Sequence, residues 1–413
     1  MSAMTFHPDN HSLTEQEELR YVRTSEARRR DNTAVPAVMF LDEAPLWSGG
    51  QIMLRNYLAF AQGVRRVLVR PVSAPETPQA LPADASYRVA FPAWPRHLSR
   101  FSVQLRMLPA ALRAAYAVGR IVRRERVRLV LVNSFYGLLP AFFVRRLLGV
   151  PIAWIVHNAD IPRNRATRRV LWSVDFLVGC CRSVLLPLND LPAVERFVVH
   201  YGISPPDTAG GDGAALRRLR GWEGHWLAGF AGRLVPEKNL AGLIRGICLA
   251  RLRSRQPLGL VIAGDGQDRA ALERLTAELG CAEAVAFTGY LPAPWRTLAF
   301  LDAFCLPSSS LEAMPLAVLE AQLLGIPVAA TDVGGTREVV RTGETGLLML
   351  NGRPETIAET ILALQAISRT HPTVQAARRM VLEEYSPARQ QLMFQQALAR
   401  ILETALSVNS PAT

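Results

Sequence analysis

The chain has one lysine, Lys238, against 46 arginines. Ordinary solvated basic positions are filled by arginine here, so a lone lysine marks a place where a compact ammonium does what a planar guanidinium cannot. It stands in Gly229-Phe230-Ala231-Gly232-Arg233-Leu234-Val235-Pro236-Glu237-Lys238-Asn239, where an apolar run ends at a glycine and two cations lie five residues apart. A fork donor, a point charge and the amides of a helix start suit a diphosphate. Arg233 alone would read as a solvated loop residue. Lys238 turns the reading toward anion binding.

A second group is Ser308-Ser309-Ser310-Leu311-Glu312-Ala313-Met314-Pro315-Leu316, followed by Glu320. Two carboxylates stand eight residues apart, which a continuous helix would separate by about 12 Å. One could meet a sugar and the other a ribose, with a diphosphate between them. Glu320 lies among Leu319, Ala321, Leu323 and Leu324, and a carboxylate in apolar surroundings needs a partner. A capping Glu312 and a surface Glu320 form the plainer alternative. Thr331-Asp332-Val333-Gly334-Gly335-Thr336 could present amides to an anion or make a tight connection. Ser48-Gly49-Gly50-Gln51 is its counterpart in the first half, and Gly49 and Gly50 would let backbone approach a pyrophosphate. His157-Asn158 follows an apolar run, where a histidine could bond a substrate hydroxyl or phosphate. Asp42 and Glu43, after the first apolar run, could serve as a general base.

Short apolar runs alternating with helical-period segments must position these residues, the pattern of parallel sheets with crossover helices. Strands are expected at Ala37–Leu41, Arg66–Val69, Leu129–Val132, Ile152–Val156 and Phe176–Val178. A second series is expected at Trp226–Ala231, Leu258–Ala263, Ala284–Phe287, Ala303–Leu306, Pro327–Ala330 and Gly346–Leu348. Helices are expected between them, including Gln51–Gln62, Val103–Arg124, Asn189–Phe197, Leu240–Arg253 and Ala313–Leu323. The expected division is a mobile tail over 1–33, a Rossmann-like domain over 34–203, a linker over 204–225, a second such domain over 226–385 and a final helix over 386–413. In such sheets, ligands bind at the carboxyl ends of the strands.

Bulk properties bound the alternatives. At 413 residues and 49% apolar, two cores are affordable. The net charge of +12 lies wholly in residues 1–206, which hold 27 arginines against 15 acidic residues. The opening segment lacks the apolar stretch of a signal peptide, and no run reaches the roughly 18 residues of a membrane span, so a cytoplasmic location is expected. Cys180, Cys181, Cys248, Cys281 and Cys305 show no metal-type spacing and read as inert thiols in a reducing compartment.

Together the segments resemble the retaining glycosyltransferases of family 4, which have GT-B architecture: two Rossmann-like domains facing each other across a cleft. The resemblance runs through Gly49-Gly50, His157-Asn158, Val199-His200-Tyr201-Gly202-Ile203, Gly232-Arg233 to Lys238-Asn239, and Ala263-Gly264-Asp265-Gly266. It continues through Phe287-Thr288-Gly289-Tyr290, Glu312 to Glu320, Asp332-Val333-Gly334-Gly335 to Glu338, and Thr345-Gly346-Leu347-Leu348. It covers about residues 37–350 and is strongest from 226 onward. By that resemblance the first domain receives the acceptor and the second binds a nucleotide-sugar donor carrying UDP, GDP or ADP. Arg233 and Lys238 would hold the donor diphosphate, with Gly49 and Gly50 closing on it. Glu312 and the Met314-Pro315-Leu316 segment would meet the donor sugar, and Glu320 the ribose. Backbone near Tyr290 and Leu291 would lie beside the base, and His157 between donor sugar and acceptor. No metal or other cofactor is implied, and the Asp-x-Asp metal motif is absent from the sequence. The chain departs from the family where His200-Tyr201 stand in place of the usual asparagine, where Glu312-Ala313-Met314-Pro315 replaces Glu-Gly-Phe-Gly, and at Cys181, where a serine is common.

The implied reaction is transfer of a hexose, with retention, to a glycan or lipid-linked acceptor in cell-surface polysaccharide or glycolipid assembly. A nucleotide-sugar epimerase of the same fold, an inactive GT-B partner protein and a basic nucleic-acid binder are the competing readings. The last lacks any recognised module or aromatic stacking pattern. A dinucleotide oxidoreductase fails because Gly264-Asp265-Gly266 continues as Gln-Asp-Arg, not as G-x-G-x-x-G. Between Gln104 and Arg128, Leu105, Leu108, Leu112, Tyr116 and Val122 alternate with Arg106, Arg113, Arg120, Arg123 and Arg124. Such a helix could lie peripherally on an anionic membrane, or pack on the core with a solvated basic face.

Overall fold

The computed structural model describes residues 35–44, 49–75, 81–92, 101–158, 165–191, 195–209, 213–310 and 312–408, without the side chains of 101–107, Ala166, Ala214 and Val408. The expected tail over 1–33, Ser48, Leu311, and the side chains of Leu105 and Arg106 lie outside that description.

Among the described residues thirteen strands form two parallel sheets, the central ones from runs of β-branched and other aliphatic residues. The first sheet comprises β1 (Ala37–Leu41), β2 (Arg65–Pro71), β3 (Ala85–Val89), β4 (Val127–Val132), β5 (Ile152–Val156), β6 (Phe176–Gly179) and β7 (Glu195–Val198), in the order β3-β2-β1-β4-β5-β6-β7. The second comprises β8 (Trp226–Ala231), β9 (Leu258–Ala263), β10 (Val285–Gly289), β11 (Ala303–Leu306), β12 (Val328–Thr331) and β13 (Leu347–Met349), in the order β10-β9-β8-β11-β12-β13. Registers are long in the middle, as from Trp226↔Leu258 to Ala231↔Ala263. In each sheet the chain reverses direction of growth once, between β1 and β4 and between β8 and β11. Those are the switch points where an open parallel sheet leaves a crevice at its carboxyl edge.

The described residues fall into two compact units. One comprises 35–154, 165–175 and 402–408; the other comprises 155–158 and 176–401. The first is packed around β1 and β4, with Val38, Phe40, Leu129 and Val130 wholly buried. The second is packed around β8, β9 and β11, with Phe230, Val261 and Phe304 wholly buried.

Three expectations are corrected. The helix expected over Asn189–Phe197 is not found among its described residues: Asn189 and Asp190 form a turn, and β7 occupies Glu195–Val198 and pairs in parallel with β6. The helix expected over Ala313–Leu323 begins only at Leu316, after Pro315, so the 12 Å helical spacing between Glu312 and Glu320 does not apply. Cys248 and Cys281 are not free thiols but a disulfide, while Cys180, Cys181 and Cys305 are free and buried.

The long helix Phe101–Arg124 has Ala111, Ala114, Ala115, Val118, Ile121 and Val122 on its buried face. Val122 therefore belongs to the core and not to an outward apolar stripe. Leu108, Leu112 and Tyr116, spaced four residues apart, are 41%, 44% and 69% exposed beside exposed Arg113, Arg120, Arg123 and Arg124. Among the described residues no helix is long and apolar enough to cross a membrane.

Candidate functional site

The loops after β8 and β11 flank the switch point of the second sheet, and backbone bonds tie them together. Asn239 adopts a left-handed conformation (φ 50°), and its amide donates to the carbonyls of Pro307 and Gly352 over 3.2 and 2.9 Å. The Ser309 N–H donates to the Glu237 carbonyl over 2.9 Å. This brings Lys238, at the end of the short 3-10 turn Pro236–Lys238, onto Glu312: Lys238 Nζ donates to Glu312 Oε1 over 2.5 Å. The buried Ser308 hydroxyl donates to the same oxygen. Both charged side chains are mostly enclosed, 21% and 13% exposed, so the pair is more than a solvated contact. Arg233 is exposed in the loop between β8 and this turn.

Glycine shapes the opposite wall. The Gly335 N–H donates to the Glu312 carbonyl over 2.7 Å. A Cβ at Gly334 would sit 2.1 Å from the Glu312 carbonyl oxygen, and one at Gly335 would sit 1.8 Å from that of Ala313. The glycine pair thus permits backbone-to-backbone packing on the Glu312 loop, and the Gly335 amide is already engaged there. Cys181 closes the same loop from another side, its thiol donating to the Ala313 carbonyl over 2.9 Å. Met314 and Pro315 are buried, and Leu316 begins the helix Leu316–Leu323.

Glu320, inside that helix, points one carboxylate oxygen at an indole: Trp295 Nε1 donates to Glu320 Oε2 over 2.7 Å. Burial pushes the Glu320 carboxyl above its usual range, and the indole N–H partly counteracts it. Tyr290 and Leu291 follow β10, with Tyr290 75% exposed. His157, just past β5, shares a hydrogen bond of 2.6 Å between Nδ1 and the Tyr201 hydroxyl. The Tyr201 N–H in turn contacts the Met314 sulfur at 3.3 Å. The two residues that depart from the family pattern therefore have structural work. Tyr201 meets His157, and His200 stacks on Tyr385 with ring centroids 4.9 Å apart. Glu338 accepts the backbone N–H groups of Arg182 and Ser183, each at 3.1 Å. Burial opposes its ionisation, but these bonds and nearby His200 outweigh it and hold its carboxyl low.

The first sheet builds its own polar cluster at its switch point. Asp42 and Glu43 follow β1; Asn133 and Ser134 follow β4. Asp42 Oδ1 accepts from Gln51 and Asn133 over 3.2 and 3.1 Å, while Ser134 donates to Glu43. Burial, then the Asp42 charge, pushes the Glu43 carboxyl up to about 8. Gly49 and Gly50 open the helix Gly49–Phe60 beside it, and the Gly50 carbonyl accepts from Asn133 over 3.4 Å.

The structure thus brings Lys238 and Glu312 together and pairs Glu320 with Trp295 and His157 with Tyr201. Gly49 and Gly50 belong to the other unit. Sequence reasoning did not single out Ser308, Trp295 or Asn239 as site residues. Asn239 and Ser308 carried a local signal, the one adjoining the lone lysine and the other opening the segment that holds Glu312, whereas Trp295 carried none.

Residues 216–379 match the family of glycosyl transferases group 1. The 2-deoxystreptamine glucosyltransferase of Streptomyces kanamyceticus is 28% identical over 280 residues, covering 62% of this chain and 71% of that protein. The GDP-mannose-dependent alpha-mannosyltransferase of Mycolicibacterium smegmatis is 35% identical over 175 residues, covering 42% of this chain and 43% of that protein. The chain thus spans less than half the length of this second relative. Among solved structures, Anabaena HepE in complex with UDP is similar with a TM-score of 0.70 at 17% identity, over 88% of this chain and 100% of that one. The fold is GT-B, and the second sheet carries the domain of a family of sugar-transferring enzymes.

Proposed function

We propose that this chain, which carries a glycosyl transferases group 1 domain, moves a hexose with retention from a nucleotide-diphosphate donor to a glycan or lipid-linked acceptor in cell-surface polysaccharide or glycolipid assembly. The observation that supports this most is the Lys238–Glu312 pair with Ser308 at the switch point of the second sheet. The chemistry asks for stabilisation of the negative charge that grows on a departing nucleoside diphosphate. Arg233 and Lys238 supply two cations there, and no metal is needed in this reading. As the diphosphate takes over the ammonium, Glu312 becomes available to accept from donor-sugar hydroxyls beside Met314, Pro315 and Leu316. Glu320 meets the ribose, and backbone at Tyr290 and Leu291 lies beside the base. His157, oriented by Tyr201, faces the reacting sugar. Relatives carry names that include glucosyl transfer and GDP-mannose dependence, so UDP, GDP and ADP sugars are all in scope.

The acceptor belongs to the domain over 34–203. The exposed Leu108, Leu112 and Tyr116 with their arginine neighbours suit peripheral contact with an anionic membrane, where a lipid-linked acceptor would be met. The deciding experiment is a thermal-shift screen against UDP-, GDP- and ADP-sugars, followed by product analysis with candidate acceptors. Stabilisation by one donor class with acceptor-dependent product is expected. Sugar isomerisation without any acceptor would instead establish the epimerase reading.

A further inference from the structure

Trp295 is 3% exposed in the short helix Pro294–Leu298, and its ring packs on Phe304 of β11 with centroids 5.7 Å apart. Its size alone would explain that burial. The direction of its N–H needs another reason. An indole N–H donates only and does not titrate. Here it is spent on Glu320 Oε2 at 2.7 Å, while among the described residues Oε1 takes no hydrogen bond. Glu320 itself sits in a helix whose Val318, Leu319, Ala321 and Gln322 are buried. A carboxylate in such surroundings keeps one orientation and its ionised form only if something fixed donates to it.

We infer that Trp295 is a positioning residue for ribose recognition: its N–H holds Glu320 by Oε2 and leaves Oε1 to accept the ribose hydroxyls of a nucleoside diphosphate. This rests on the donor-site reading above and adds to it the residue that sets discrimination between ribose and deoxyribose. The same short stretch of chain links the two halves of nucleoside recognition, since Trp295 follows Tyr290 and Leu291 by only a few residues. A site built to meet a hydroxyl loses more than one bond when the hydroxyl is missing, because the buried acceptor is then left unpaired.

The test is calorimetric titration of UDP, GDP and ADP, and of their 2′-deoxy and 3′-deoxy counterparts, into wild type and Trp295→Phe between pH 6 and 9. Phenylalanine keeps an aromatic ring against Phe304 and removes the donor together with part of the indole's volume, and the ribose-to-deoxy ratio separates the two losses, because a cavity weakens both ligand forms alike. Wild type should prefer the ribose form by about tenfold. In Trp295→Phe the ribose form should weaken several-fold and the deoxy forms hardly at all, so the ratio falls toward one. The loss should also grow as pH is lowered, because Glu320 without its donor takes up a proton more readily. A ribose-to-deoxy ratio and pH profile equal to wild type would show that Trp295 only packs. If Trp295→Phe does not fold, 15N-indole spectra of the wild type decide. One indole N–H should move with the ribose nucleotide and stay put with the deoxy ones, and no such difference overturns the inference. If none of the three diphosphates binds wild type, the donor-site reading falls and takes this inference with it; binding without the Trp295 effect overturns the inference alone.

Discussion

Lys238 Nζ and Glu312 Oε1 are 2.5 Å apart, joined across 74 residues of sequence by two loops that share backbone hydrogen bonds. In this arrangement each charge covers the other. Removing the cation should therefore act on chemistry first. Lys238→Ala should lower turnover by at least about 100-fold, since a lost charge donor at a leaving group costs that much. Lys238→Arg should also be impaired, because a planar fork cannot occupy this turn as an ammonium does. Initial rates with a saturating donor measure this; near-normal turnover in Lys238→Ala would remove the diphosphate role.

Glu312→Gln tests the other partner. It keeps size and can still accept from Ser308, so binding of the free nucleoside diphosphate should stay within about twofold of wild type. Turnover or sugar preference should fall about tenfold or more. Calorimetry with the diphosphate alone, beside rates with the full donor, separates the two. Equal losses in both assays would contradict the assignment of Glu312 to the sugar.

Tyr201→Phe removes the hydroxyl that meets His157 and the neighbouring Cys180 thiol, and keeps the ring. One hydrogen bond of this kind is worth about 1 kcal/mol, so kcat should drop about fivefold to tenfold with donor KM nearly unchanged. The pH profile of kcat should shift as well if His157 works on the reacting sugar. An unchanged profile would leave Tyr201 with a packing role only.

Glu43 predicts a pH dependence of stability. Its carboxyl stands at about 8 in the folded chain against 4.5 for the free group. The folded state therefore holds a proton that the unfolded chain releases. Stability from this group is fully present below about 4.5 and is lost as pH rises to about 8, at roughly 1.4 kcal/mol per pH unit. Glu43→Gln cannot lose that proton. The midpoint of thermal unfolding of wild type should thus fall relative to Glu43→Gln between pH 5 and 8, then run parallel above it. Curves that stay parallel throughout would contradict the buried, protonated state.

Vesicle binding tests the membrane proposal. The protein should bind anionic but not zwitterionic vesicles, with each arginine near the surface contributing about 1 kcal/mol and salt weakening the contact. Replacing Arg120, Arg123 and Arg124 with Gln should abolish co-sedimentation. Indifference to anionic vesicles at low salt would favour a soluble acceptor.

The central strands were plain in the sequence because parallel strands buried on both faces read as continuous apolar runs. Trp226–Ala231 and Leu258–Ala263 fell in place to the residue. The edges hid. β3 is Ala-Ser-Tyr-Arg-Val and β7 is Glu-Arg-Phe-Val, both mostly half-buried, so neither offered such a run, and the spacing of Leu191, Val194 and Phe197 imitated a helix. Lys238 was legible because its residue type was unique, and Glu312 because it preceded a proline and an apolar helix. Their contact was not, since it depends on Asn239 reaching Pro307 and Gly352. Trp295 was invisible for the same reason: no spacing announces that an indole 25 residues away will meet Glu320.

The glycine pair on the Glu312 loop sets the limits within which the proposed donor pocket can be varied. Methyl groups at 334 and 335 would collide with main-chain oxygens, not with side chains that could turn aside. In a saturation library both positions should therefore tolerate nothing, alanine included, and carry no information about specificity. Gly343, also at positive φ but with nothing within 4 Å of its missing Cβ, should accept asparagine or aspartate at small cost. New donor preferences should then emerge from Ala313, Met314 and Leu316, whose side chains can change while the glycines keep the backbone beneath them fixed.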